Sequence, residues 1–293
     1  MSPTNCSGRD SLGADHLRIA TYNTKNLFNA KHPHHPKKPR EVRELARMVA
    51  KLNAHVLGLQ EVENETALAE LNQRLPEPYA HCGLLQGNSH RGINLAFMSR
   101  FPIHLTSHRQ VVLRNESGCE LHDFVNAQAV QSDNATALRF QRDLLLAQFT
   151  FAGHTLALFN AHLKSPIRNE WSNSGADVIR AAEARAIQAI VSAYAIENPD
   201  HLTVLLGDLN QRHDHESLQA IMSLGYFDPV LDELVPENNQ LSTHWSRPRA
   251  RIDHLLLGPA AHNRYIAGSA AVHREAGARK ASDHYPVSIA LQF

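Results

Sequence analysis

Short apolar runs rich in Val, Ile, Leu and Phe alternate along this chain with stretches whose apolar residues recur at helical spacing, which predicts mixed α and β structure. Strands are predicted over His16 to Asn23, Val56 to Val62, Tyr79 to Leu85, Ile93 to Ser99, Leu144 to Phe151, His154 to Leu163, Thr203 to Leu209, Ile252 to Leu257 and Tyr285 to Phe293. From Glu41 to Asn53 the residues Val42, Leu45, Met48, Val49 and Leu52 fall on one helical face. Ala176 to Tyr194 repeats this with Val178, Ile179, Ala182, Ala186, Ile187, Ile190 and Val191. Both faces can cover a sheet. Ala152-Gly153, between two apolar runs, reads as a hairpin turn. Without repeats or an interdomain linker, a flexible segment over 1–15 and a single domain over 16–293 are expected.

Composition narrows the class. With 43% hydrophobic and 20% charged residues in 293, the chain can bury a sizeable core. Its 29 basic and 29 acidic residues cancel, so no global field draws it to nucleic acid and any attraction must be local. Three scattered cysteines, Cys6, Cys82 and Cys119, support neither a disulfide framework nor a zinc site. The polar first fifteen residues lack the apolar stretch of a secretory signal, and nothing approaches the length of a membrane span. A soluble, cytoplasmic monomer with no obligate protein partner is the expectation.

Polar clusters at the ends of apolar runs carry the candidate chemistry, because a core has no use for unpaired Asn, Asp, Glu or His there. Glu61 ends an apolar strand and is a hard oxygen ligand suited to magnesium or manganese, although Glu63 and Glu65 make the stretch simply acidic as well. Asp208 follows Val204-Leu205-Leu206-Gly207, where its carboxylate could hold a water for attack on phosphorus; Gly-Asp-Leu-Asn is equally a strand-to-loop turn. Asn210 can point the same way. Asp253 is a natural partner to orient the His284 imidazole, and His162 offers a second imidazole. Among 20 histidines only those within such clusters carry weight. The Pro-dense stretch Lys31 to Arg40 excludes a helix and reads as a solvated basic loop on the cleft rim, not a metal site.

Taken in order, Thr21-Tyr22-Asn23-Thr24-Lys25-Asn26-Leu27-Phe28, Leu59-Gln60-Glu61-Val62-Glu63-Asn64, Asn160-Ala161-His162-Leu163-Lys164-Ser165, Gly207-Asp208-Leu209-Asn210, Arg251-Ile252-Asp253-His254 and Ser282-Asp283-His284-Tyr285-Pro286 resemble the motifs of the endonuclease/exonuclease/phosphatase superfamily, the deoxyribonuclease I-like fold. The resemblance implies a four-layer α/β/β/α sandwich with two packed mixed β-sheets. It places Asn23, Glu61 and Asp283 at a metal site for Mg2+, with Mn2+ as the alternative. Asp208 and Asn210 would position nucleophile and phosphate, Asn160 with His162 would contact the scissile group, and Asp253 would orient His284. The family pattern leaves open whether Asp208 or His284 takes the water's proton. Asn26 and Asn94 are expected to bind substrate; in similar chains an acid often stands where Asn94 is. Arg142 is expected as a phosphate fork, or else as a salt-bridge partner of Asp143 or another acid.

Lys and Arg gather at the motif ends: Lys25, Lys31, Lys37, Lys38 and Arg40; Lys164 and Arg168; Arg247, Arg249 and Arg251; Arg274, Arg279 and Lys280. Loops sharing one face would form a basic groove for a polyanion, with Trp171 and Trp245 available to stack. A divalent-metal-dependent phosphodiesterase is therefore expected, a nuclease with DNA as its nucleic-acid substrate. The alternatives are a phosphatase or phosphodiesterase acting on a lipid headgroup or small phosphoester, and a silent binding module.

Overall fold

The computed structural model describes residues 15–29, 31–122, 137–166, 175–234, 242–245 and 251–293. The N-terminal segment, Cys6, Arg168, Trp171, Arg247 and Arg249 lie outside them.

Two mixed sheets pack face to face. The first has the order β10-β11-β1-β2-β4-β3, with β1 (His16–Leu27), β2 (Val56–Val62), β3 (His81–Leu84), β4 (Asn94–Ser99), β10 (Ala271–Val272) and β11 (Val287–Gln292). The second runs β5-β6-β7-β8-β9, with β5 (His104–Ser107), β6 (Leu144–Phe151), β7 (His154–His162), β8 (Leu202–Asp208) and β9 (Asp253–Leu257). Within each sheet one neighbouring pair is parallel, β1 with β2 and β7 with β8.

Alternation along the strands builds three apolar layers. Leu17 and Ile19 of β1 meet Leu158 of β7 and Val204 of β8 between the sheets. Ala20 and Tyr22 turn the other way, onto Leu45, Met48, Val49 and Leu52 of helix α1 (Pro39–Leu52) and Leu68 of α2 (Glu65–Asn72). On the far side, Phe159 and Leu205 pack on Ile179, Ile187 and Val191 of α3 (Gly175–Glu197) and Leu218 of α4 (Glu216–Met222). The result is the expected four-layer sandwich. Short helices α5 (Pro229–Glu233), α6 (Pro259–His262) and α7 (Ala278–Ala281) complete the fold.

Several boundaries differ from the pattern for identifiable reasons. Helix α1 starts inside the Pro-dense stretch, because Pro39 occupies a first-turn position where its missing N–H costs no hydrogen bond. Strand β11 begins after Pro286, which has no N–H to give a ladder. Strands β5 and β10 are too short to show a period, and α2 is announced only by Asn64, whose side chain caps it by accepting from Ala67 N at 2.9 Å. The Ala152-Gly153 turn has positive φ at both residues, 47° and 80°, as a tight two-residue hairpin requires.

Candidate active site

The C-terminal ends of the parallel pairs and the starts of β9 and β11 meet at one edge of the sandwich. In register, His162 of β7 lies beside Asp208 of β8, and Asp208 beside Asp253 of β9. On the other sheet, Asn23 of β1 faces Gln60 of β2. The ladders slip just beyond these residues, between Asn23 and Leu27 and between Leu59 and Val62. Each slip is a bulge that re-aims side chains. Lys25, Asn26, Glu61 and Asn210 all have positive φ, an arrangement held only where surrounding structure enforces it. Gly207 has φ 131°, and a Cβ there would lie 2.0 Å from Ala161 O, so only glycine lets β8 deliver Asp208 this close to β7.

Asp208 is the centre. Its Oδ2 accepts from Asn23 Nδ2 at 2.9 Å, and its Oδ1 accepts from Asn210 N at 3.0 Å. Oδ2 also lies 3.5 Å from His162 Nε2 and 3.8 Å from His284 Nε2. The other His284 nitrogen, Nδ1, is 2.8 Å from Asp253 Oδ2. His284 is thus held between two carboxylates, one on each ring nitrogen.

Burial pushes the Asp208 carboxyl up from the usual carboxylate range, with the Asp253 charge adding to it. Burial alone would lower the His284 imidazole, but the Asp253, Asp208 and Asp283 carboxylates outweigh it and hold the ring above its ordinary value. His162 has no such partner set. Burial, with the Arg142 guanidinium and His284 nearby, drives it well below the ordinary value, so it is neutral. One site therefore offers a charged imidazole, a neutral one and a carboxyl able to take a proton.

Glu61 and Asn23 come together, with Asn23 Nδ2 3.4 Å from Glu61 Oε1, while Asn26 N donates to Glu61 Oε2 at 2.9 Å. Asp283 is turned instead to Lys25, whose Nζ is 2.9 Å away. Ser282 ties this corner to β1 by donating to Asn23 O at 2.7 Å, so both carboxylates border the same strand end. Carboxylate and amide oxygens are the donors that magnesium and manganese prefer, and Glu61, Asn23 and Asp283 offer them around the end of β1. Among the described residues, two groups each bring their potential ligand atoms within 4.8 Å of one another, His244 with Asp283 and His284, and Asp208 with Asp253 and His284. Both share His284, whose Nδ1 is engaged by Asp253.

Arg142 is buried beneath the cluster. Among the described residues its guanidinium has one hydrogen bond, to Leu163 O at 3.2 Å, and it feels the charges of Glu183, Glu61 and Asp208. It forms no pair with Asp143, which accepts from Ser107 Oγ at 2.6 Å and His108 N at 2.9 Å. Donor N–H groups of Arg142 therefore stay available for an oxyanion. Arg91 reaches Asn26 Oδ1 at 2.8 Å on the rim.

Two expected substrate contacts turn inward. Asn160 is fully buried and its amide is spent between the sheets, on Leu59 O, Ala96 O and Gln60 Nε2. Asn94 clamps a loop, accepting from Gly87 N at 2.8 Å and donating to Glu63 O at 2.6 Å. Arg251, expected on a basic rim, is buried and paired with Asp228. Sequence reasoning missed His244 and Thr243. The His244 ring meets His284 edge-on at 4.8 Å, and its Nε2 is 3.8 Å from Asp283. The Thr243 hydroxyl accepts from Ile252 N and Asp253 N at 3.1 Å each, fixing the start of β9. Their adjacency to Trp245 was the available signal.

A sandwich of two mixed sheets with acids and imidazoles gathered at one edge defines a phosphoesterase-type fold. The endonuclease/exonuclease/phosphatase family model matches residues 20–284, and the chain belongs to that family of phosphoester hydrolases, whose members typically depend on a divalent metal. Among solved structures it is similar to the human Nocturnin catalytic domain with bound sulfate, at 15% identity over 95% of this chain and 94% of that one, TM-score 0.63. A Bacteroides thetaiotaomicron mannosyl-6-phosphatase shares 17% identity over 94% and 100%, TM-score 0.59. Truncated Caenorhabditis elegans TDP2 shares 15% over 95% and 98%, TM-score 0.56. No curated protein matches by sequence. None of the described helices is long and apolar enough to cross a membrane.

Proposed function

We propose that this chain is a divalent-metal-dependent phosphodiesterase that hydrolyses DNA through an activated water. The observation that carries the reading is the position of Asp208, whose Oδ2 is shared among the Asn23 amide, His162 and His284. Asn23 and Asn210 orient its oxygens, and its raised proton affinity suits it to accept the proton of an attacking water. His284, charged and fixed by Asp253, opposes negative charge developing on phosphorus, and Arg142 with neutral His162 can donate to the same oxygens. A magnesium or manganese ion held by Glu61 and Asp283 would supply Lewis-acid polarisation of a phosphoryl oxygen.

Cations of the Lys37-Lys38 loop and of Arg279-Lys280 gather beside this cluster in an otherwise neutral chain, which favours a polyanion. A small phosphoester is the second reading, favoured by the likeness to a mannosyl-6-phosphatase. Purified protein offered supercoiled plasmid, RNA and p-nitrophenyl phosphate in Mg2+ or Mn2+ separates them. Plasmid nicking that stops with EDTA and in Asp208→Asn is expected. Phosphate release from small esters alone would replace DNA as substrate, and inactivity on every class in either metal would sink the enzyme.

A further inference from the structure

The loop after β1 and the segment before β11 enclose a polar recess next to the catalytic cluster. We propose that this recess, bounded by Lys25, Lys37, Lys38, Trp245, Arg279 and Lys280, is a second anion subsite that takes a phosphate of the substrate other than the one hydrolysed. The substrate role rests on the phosphodiesterase reading; the anion site does not.

The recess is preformed. Lys37 Nζ donates to Ala281 O at 2.5 Å, bridging its two sides, while Ala278 and Ala281 of α7 pack in the same apolar layer as Leu45 and Met48 of α1. It also adjoins the reacting centre directly. Lys25, Asn26 and Ser282 line it, and Ser282 holds Asn23 O while its neighbour Asp283 holds Lys25. A substrate with its scissile phosphate at Asp208 would extend past Ser282 into this space.

Charge gives the ligand class. Five cationic side chains line the recess against one carboxylate, Glu41, whose Oε2 accepts from Lys38 N at 2.7 Å. Lys25 is paired with Asp283, but among the described residues no carboxylate lies within ion-pair distance of Lys37, Lys38, Arg279 or Lys280. Like charges gathered without partners cost free energy that an incoming anion recovers. Burial lowers the Lys37 ammonium to about 8, with Lys25 adding to the lowering and Glu41 and Asp283 opposing it. Arg279, anchored through Nε to Tyr285 Oη at 3.0 Å, keeps its fork directed for two phosphate oxygens. Trp245 is 42% exposed on the wall, with its backbone N–H held by Asp283 O at 3.0 Å. An indole beside uncompensated cations fits a phosphorylated aromatic group such as a nucleotide.

The test uses Trp245 as reporter. In Trp171→Phe, Trp245 is the single tryptophan left of two, and its emission is followed as inorganic pyrophosphate is added in EDTA. A saturable change is expected, with affinity lowered at least about 10-fold in the added double variant Lys38→Glu/Lys280→Glu, whose sites are exposed and whose thermal midpoint controls for folding. No saturable change, or an identical curve in the charge-reversed protein, overturns the subsite. For its substrate role, kcat/KM of the charge-reversed protein should fall at least about 10-fold more, through KM, on a 5′-phosphorylated thymidine dinucleotide than on bis(p-nitrophenyl) phosphate. Equal losses on both overturn that role. A wild-type protein that hydrolyses neither defeats the phosphodiesterase reading, while the pyrophosphate titration still decides the anion site.

Discussion

Gln60 on one sheet donates its amide to Asn160 Oδ1 on the other at 2.7 Å, and Asn160 Nδ2 donates back to Leu59 O and Ala96 O at 3.0 and 3.2 Å. This bracket is fully buried, one residue along the chain from Glu61 and two from His162. It fixes the separation of the sheets where their side chains must cooperate. Asn160→Leu should take from Gln60 its inter-sheet acceptor, leaving only Thr21 Oγ1 at 3.0 Å, and cost about 1–3 kcal/mol of unfolding free energy in urea titration, part of which Gln60→Leu/Asn160→Leu recovers. A large loss of kcat with stability intact would mean that Asn160 contacts substrate after all.

Asp253 acts through His284. In Asp253→Asn the imidazolium loses its carboxylate, so kcat should fall by about 10²-fold or more and the alkaline limb of the pH–rate profile should move to lower pH. An unchanged limb would remove His284 from the reaction.

The same pair sets a pH dependence of stability. The folded state holds the His284 proton above its ordinary value of 6.5, so folding binds that proton and the pair stabilises fully below that value. The contribution is lost as pH rises above 6.5 toward the raised folded value. The stability gap between wild type and His284→Gln, measured by urea unfolding in EDTA, should therefore narrow between about pH 6 and about pH 9. A widening gap would contradict the pairing.

Metal binding should be visible without turnover. Mn2+ at about a hundred times its dissociation constant should add about 2.7 kcal/mol to folding and raise the thermal midpoint. Glu61→Gln should abolish most of that rise. An equal rise in both proteins would place the ion elsewhere.

Gly207→Ala sets a side chain against Ala161 O at a φ that L residues avoid. A loss of at least about 2 kcal/mol in unfolding free energy is expected, with activity reduced as β8 shifts.

Much of this was readable in the chain because the functional residues break the apolar pattern where strands end. Asn23, Glu61, His162, Asp208 and Asp253 each follow or begin a run whose other members are core, and the fold brings those ends together. Residue type does not reveal which way an amide turns. Asn94 and Asn160 carry the same chemistry as Asn23, yet inter-sheet and loop carbonyls capture them. Arg251 reads as a rim cation until Asp228, far off in sequence, is seen to bury it. Thr243 and His244 sit on a loop with no period, so only tertiary contact with Asp253 and His284 gives them meaning.

Asn23 and Glu61 stand on the six-stranded sheet, and His162, Asp208 and Asp253 on the five-stranded one. On the proposed mechanism each sheet supplies only part of the site, so activity requires the two layers to be docked. On that mechanism, separating the sheets would abolish turnover even where each kept its own strands.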